Sequence, residues 1–213
     1  MSRALPALSA PLLTVCPEPR NLLQVLWGFW YNGGHTKRKR SCQTSYGQHK
    51  VQSDVCKRCQ GYIRIGYKSL DAKQTEFNAA MSYLLKNAIT GSSPDYALDY
   101  TKVLVSQGGL TQVTDGAVSW TAAQSKLTFS WTDNSGVGTA LATDKAMPFV
   151  YNKDKNETIY NTEGATRTTH TMDVTVPSNW VGDKVEVYLG MVSEDGTLVA
   201  DSIYLGEKTL SAA

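Results

Sequence analysis

Lys126-Leu127-Thr128-Phe129-Ser130-Trp131-Thr132 alternates without a break: Leu127, Phe129 and Trp131 share one side, and Lys126, Thr128, Ser130 and Thr132 share the other. Side chains of an extended chain point alternately to opposite faces, so a strict period of two describes a strand with one dry face and one wet face. On a helix the same three apolar residues would spread around the axis and leave no dry stripe.

The rhythm recurs on both sides of this stretch. Met172, Val174 and Val176 alternate with Asp173 and Thr175, and Val185, Val187, Leu189 and Met191 alternate with Glu186, Tyr188 and Gly190. Val199, Ile203 and Leu205 continue it, with Asp201 as an exception. Lys102–Ser106, Ala117–Thr121, Ala146–Tyr151 and Glu157–Asn161 are further expected strands. Turn-forming clusters separate them: Asp133-Asn134-Ser135-Gly136, 152–156, Pro177-Ser178-Asn179 and Glu194-Asp195-Gly196. Asp195-Gly196 between two alternating runs is a hairpin signal. Seven or eight short strands without intervening helices predict a mainly β fold: an antiparallel, immunoglobulin-like or fibronectin type III-like β-sandwich over about 101–213.

One amphipathic helix is expected ahead of the sandwich, within 62–100. Phe77, Ala80, Met81, Leu84, Leu85 and Ala88 lie at offsets 0, 3, 4, 7, 8 and 11, a single helical face. Ser69, Asp71 or Thr75 offers an N-cap oxygen, and Gly91 is read as the stop. The stripe is expected to pack on the sandwich.

Residues 1–61 have a different physical character. They hold nine Lys/Arg against Glu18 and Asp54, a net +7, while residues 62–213 carry a net −5 within a total of +2. All four cysteines fall in the first part, as do four of the seven prolines, Pro6, Pro11, Pro17 and Pro19. The expectation is a poorly ordered basic segment. Cys42, His49, Cys56 and Cys59 are the zinc candidates, but spacings of x6, x6 and x2 give one close pair where finger and ribbon sites show two. No metal or other cofactor is therefore expected. Lys37-Arg38-Lys39-Arg40, with Lys50, Lys57, Arg58 and the rings of Trp30, Tyr31 and Tyr46, is the corresponding nucleic-acid candidate. A solvated basic tail accounts for the same residues and is preferred. The longest apolar run, Leu22 to Tyr31, is half of what a bilayer crossing needs, so no membrane span is expected. Leu13-Thr14-Val15-Cys16 only faintly follows a lipoprotein cleavage pattern, and a cytoplasmic location is favoured.

Several phrases together resemble one family of short Bacteroidota proteins catalogued as domain of unknown function 6266. They are Ile65-Gly66-Tyr67, Phe77-Asn78-Ala79-Ala80-Met81-Ser82-Tyr83, Lys86-Asn87-Ala88-Ile89-Thr90-Gly91 and Pro94-Asp95-Tyr96. Lys102 to Gly108, Phe129 to Gly136 and Asp144-Lys145-Ala146 follow in order. The resemblance spans about Tyr62 to Leu210 and implies no catalytic residue. Residues 12–60 match none of the family phrases and are read as a frame-shifted stretch.

No enzyme is expected. His170 is the single histidine after residue 61, set among Thr168, Thr169 and Thr171 on a polar stretch. Asn152, Asp154, Asn156 and Glu157 supply oxygens at calcium-like spacing, but Lys153 and Lys155 interleave them and oppose a cation. The functional expectation is a non-catalytic binding or structural protein whose partner is another protein or a glycan. Tyr160, Trp180 and Tyr188 are the expected exposed contact aromatics. The alternatives are a nucleic-acid binder using the basic segment and a phage-like or mobile-element structural component.

Overall fold

The computed structural model describes residues 59–68, 75–92 and 95–212. Seven strands form two antiparallel sheets. β3 (Thr114–Thr121), β4 (Lys126–Thr132) and β7 (Thr171–Thr175) make a three-stranded sheet in the order β3-β4-β7. β5 (Lys145–Asn152), β6 (Glu157–Tyr160), β8 (Lys184–Val192) and β9 (Ile203–Thr209) make a four-stranded sheet in the order β6-β5-β8-β9. The quoted stretch is β4, with the boundaries its alternation predicts.

The dry face of β4 meets the dry face of the other sheet. Leu127, Phe129 and Trp131 share a core with Val118 and Val174 from their own sheet, and with Ala146, Val150, Val185, Val187, Leu189 and Met191 from the facing one. Phe129 is fully buried, and the Trp131 indole N–H donates to the backbone O of Arg167 at 2.8 Å. Pairing of apolar faces from two sheets defines a sandwich.

A second core lies on the other side of the four-stranded sheet, formed by two helices, α1 (Gln60–Gly66) and α2 (Glu76–Asn87), and the segment after them. Met147, Phe149 and Tyr151 of β5 and Tyr188 and Val192 of β8 pack there against Tyr62, Ile63, Tyr67, Ala80, Leu84, Ala88, Val103 and Val105. β5 and β8 are thus buried on both faces, and the body has three layers. Phenol groups stitch the helical layer down: Tyr62 to Met147 O at 3.0 Å, Tyr67 to Leu104 O at 2.8 Å and Tyr188 to Tyr100 O at 2.8 Å. Gly190 permits this approach, since a Cβ there would stand 2.8 Å from Ser106 Oγ and 2.9 Å from the Tyr62 hydroxyl.

Three details differ from the sequence reading, and one choice it left open, the helix N-cap, is decided. The helix ends at Asn87 with Ala88 as its C-cap, and Gly91 (φ +89°) sits in a hairpin of β1 (Ile89–Ser92) and β2 (Asp95–Leu98). Of the three cap candidates Thr75 does the work, its side chain accepting from Asn78 N at 3.3 Å. Lys102–Ser106 is not a strand: Asp99 caps a 3₁₀ turn at Tyr100–Lys102, and Val105 N–H donates to the Ser202 hydroxyl at 2.9 Å instead of to a ladder. Finally, α1 was not expected; it starts at Gln60 with Cys59 buried beside it, so a boundary at residue 61 would cut through a helix.

Candidate functional site

Loops that join sandwich strands collect at two ends. β3 enters, β4 leaves, β5 enters, β6 leaves, β7 enters, β8 leaves and β9 enters at one end, so the segment 109–113 and the loops 133–144, 161–170 and 193–202 all gather there. The tight connections 122–125, 153–156 and 176–183 gather at the other.

The first end is built around a buried ion pair. Arg167 and Asp144 are both inaccessible to solvent, with Arg167 Nη2 at 2.9 Å and Nε at 3.2 Å from Asp144 Oδ2. Arg167 Nη1 donates to Asn134 Oδ1 at 2.5 Å and Nη2 to the carbonyl of Thr111 at 2.8 Å. Asp144 Oδ2 also accepts the backbone N–H of Leu141 at 2.8 Å. One guanidinium therefore ties loop 161–170 to loop 133–144 and to the segment before β3, using the five-donor planar fork that lysine lacks. Further bonds complete the knot: Thr111 N to Thr139 Oγ1 at 2.7 Å, Asn134 Nδ2 to Gln112 O at 2.8 Å, and Gln112 Nε2 to Asp201 O at 2.6 Å.

What this frame presents to solvent is apolar. Among the described residues five large hydrophobic side chains are exposed, and three lie here: Val137 (59%) and Leu141 (60%) on loop 133–144, and Leu198 (39%) on loop 193–202. Backbone groups of Val137 and Leu141 are hydrogen-bonded inside the loop, Val137 N–H to Asn134 O at 3.1 Å and Leu141 N–H to Asp144, so their side chains are displayed from a fixed position.

Loop 193–202 is held by Asp195, whose carboxylate accepts from Ser193 Oγ at 2.5 Å, Thr197 N at 3.0 Å and Thr197 Oγ1 at 2.8 Å. The Ser193 hydroxyl and then the Thr197 amide hold its pKa down to about 2, from 3.8. A carboxyl whose folded pKa lies below its unfolded one stabilises the fold fully above the unfolded value, and that contribution drains away as pH falls from 3.8 towards about 2. NMR titration is expected to show Asp195 ionising near the lower value, and Ser193→Ala is expected to raise the midpoint. An unchanged midpoint in Ser193→Ala would count against this account of the loop.

The candidate aromatics separate. Tyr160 is exposed at the end of β6, with its ring against Tyr62 (5.7 Å) and Phe149 (6.4 Å). Trp180 and Tyr188 are not exposed contacts. Both are about 1% exposed, Trp180 donating its indole N–H to Glu157 Oε2 at 2.9 Å and Tyr188 lying under the helical layer. Burial pushes the Tyr188 phenol well above the ordinary range. Cys42, His49 and Cys56, and the basic residues Lys37, Arg38, Lys39, Arg40, Lys50, Lys57 and Arg58, lie outside the described residues. Cys59 is buried in the outer core, and no group of three metal-ligating side chains occurs among the described residues. The calcium-like oxygens are engaged in the turn itself: Asn152 Oδ1 accepts from Asp154 N and Lys155 N, Asn156 Oδ1 accepts from the Tyr151 hydroxyl, and Glu157 holds Trp180. His170 is exposed in the left-handed region (φ 63°) as the C-cap of the 3₁₀ turn Arg167–Thr169. No helix among the described residues is long and apolar enough to cross a membrane.

Sequence reasoning missed Arg167 and Asp144, the residues that shape this end. Their partnership spans 23 positions and carries no local pattern.

The architecture defines a mainly β protein, an antiparallel two-sheet sandwich with a helical layer and a small hairpin beside one sheet. A family model described as a family of unknown function (DUF6266) matches residues 44–206, more than three-quarters of the chain, and the protein belongs to that family. The match begins at residue 44 and not near Tyr62, so at least 44–60 are family sequence and that part of the frame-shift reading is withdrawn. No curated protein matches the chain.

Proposed function

We propose that this protein is a non-catalytic binding module that meets a protein partner through the loop end carrying Val137, Leu141 and Leu198. The observation that carries the reading is the buried Arg167–Asp144 pair beneath them. Desolvating two charges is costly, and in this protein we take the pair to specify one conformation of the loop end. Here the conformation specified is a loop that holds two aliphatic side chains more than half exposed to water. Aliphatic tips suit a protein surface better than a sugar face.

The immunoglobulin-like class belongs to the same proposal. Numbered along the sandwich, the first, second and fifth strands face the fourth, third, sixth and seventh. This arrangement supports a fibronectin type III-like sandwich, a scaffold whose end loops commonly carry recognition. A non-catalytic role is supported by Ser135 in the loop end, whose Oγ donates to Asp133 within a turn, and by the imidazole of His170, which makes no hydrogen bond among the described residues.

The test is affinity capture from cells that make the protein, with the full chain as bait. A partner retained by wild type and by Tyr160→Ala, and lost with Val137→Asp/Leu141→Asp, is expected. An identical captured set for all three baits would remove the loop end from consideration.

A further inference from the structure

Charge is divided between the two ends of the sandwich. The segment 109–115 with loops 133–144, 161–170 and 193–202 and the first residue of β5 holds seven carboxylates against Arg167 and Lys145, and the Lys68 ammonium lies beside Gly196 of loop 193–202, 3.9 Å from where a Cβ would stand. Arg167 is consumed by buried Asp144. Six carboxylates remain at or near the surface: Asp115, Asp133, Glu163, Glu194, Asp195 and Asp201. No described lysine or arginine lies within ion-pairing distance of any of them. At the opposite end the connecting loops balance Lys153 and Lys155 against Asp154 and Asp183, and lysines there are paired: Lys155 with Asp183, Lys153 with Glu186 (2.7 Å) and Glu207 (2.5 Å), and Lys184 with Glu207 (3.0 Å). Neutralised charge at one end and unneutralised negative charge at the other is an electrostatic asymmetry that coincides with the exposed aliphatic tips.

We infer that the occupant of the loop end is a basic protein surface, one that offers Lys or Arg side chains around an apolar patch. The inference rests on the loop-end proposal above and names the class of partner. The exposed aliphatic side chains of this end (Val137, Leu141, Leu198) exclude water on contact, and the carboxylates of the same loops attract cations and repel anions as the partner approaches. The same field disfavours the competing macromolecules. A nucleic acid or an anionic lipid surface would bring more negative charge to an end that already carries six unpaired carboxylates. Three of the six, Asp115, Glu163 and Glu194, have side chains that bond nothing among the described residues, so the fold does not depend on their charge. Asp115 does hold a left-handed backbone (φ 53°), which asparagine also accepts.

A photo-activatable cross-linking residue placed at Leu141 of the full chain, in cells that make the protein, tests the inference. The expected result is an adduct with a protein whose cross-linked segment carries more Lys and Arg than Asp and Glu. Its yield is expected to fall roughly tenfold in the Asp115→Asn/Glu163→Gln/Glu194→Gln variant, the scale of electrostatic steering. In extracts it is expected to fall as ionic strength rises from about 0.01 M to about 0.15 M, which shortens the screening length from about 30 Å to about 8 Å. An adduct with an acidic or neutral segment, a nucleic acid or a lipid overturns the partner class and leaves the loop end as a contact. So does a yield unmoved by the triple variant. No adduct from Leu141 or from Leu198 overturns the loop-end proposal together with this one.

Discussion

Arg167→Met is expected to lower the free energy of unfolding by about 3–5 kcal/mol, the loss typical when one partner of a buried pair is removed. The size follows from what stays behind. Asp144 would keep a carboxylate inaccessible to solvent with its two guanidinium bonds gone, and Asn134 Oδ1 and the Thr111 carbonyl would lose the donors at 2.5 and 2.8 Å. Removing both charges, as in Arg167→Met/Asp144→Leu, is expected to recover part of the loss, because no unpaired charge remains. Denaturant midpoints measure both effects. The double variant carries a second expected result: with the tie between loops 133–144 and 161–170 cut, proteolysis near Leu141 should accelerate while the sheets persist. A single-variant loss below about 1 kcal/mol would mean that the pair is solvated in solution, and the rigid display of Val137 and Leu141 would go with it.

The strands of this fold are legible in the sequence because alternation is a local property. β4 can be read from seven consecutive residues, and β7 and β8 from similar runs. What alternation does not report is what covers the second face of a strand. Tyr188 lies on the opposite side of β8 from Val187 and Leu189, and with one core in view that side is read as solvent. The missing signal was in the register: Tyr188 pairs with Phe149, and Met147, Phe149 and Tyr151 put a continuous apolar row on the same side of β5. Two neighbouring strands apolar on both faces mark the middle layer of a three-layer body. Their cover was harder to see. α1 is seven residues long, and its buried residues Tyr62 and Ile63 follow a polar stretch. The loop end was least legible, since Arg167, Asp144, Asn134 and Thr111 meet only after the strands between them have paired.

Tyr188→Ala tests that middle layer directly and is expected to cost about 3–5 kcal/mol, as large aromatic truncations in cores do. The ring is 1% exposed, lies 6.0 Å from Phe149 and 5.2 Å from Tyr204 between ring centres, and donates its hydroxyl to Tyr100 O at 2.8 Å. Truncation opens a cavity between the sheet and the helical layer and leaves the carbonyl of Tyr100 with the Val103 N–H as its remaining donor. Tyr188→Phe keeps the volume and deletes only the hydrogen bond, and the Tyr100 carbonyl keeps the Val103 N–H at 3.4 Å, so about 0.5–1.5 kcal/mol is expected, the net worth of one hydrogen bond. Hydrogen exchange separates the two sides of the cavity. In Tyr188→Ala, protection should fall in α1, at Gln107 (whose N–H reaches Gly66 O at 2.8 Å) and in the outer core, before it falls in β4, which packs on the far side of the sheet. A surface tyrosine would behave otherwise, with both variants within about 0.5 kcal/mol of wild type. That outcome would put the Tyr188 ring in water, detach the helices from the sheet and reduce the body to the two-layer sandwich that alternation alone suggests.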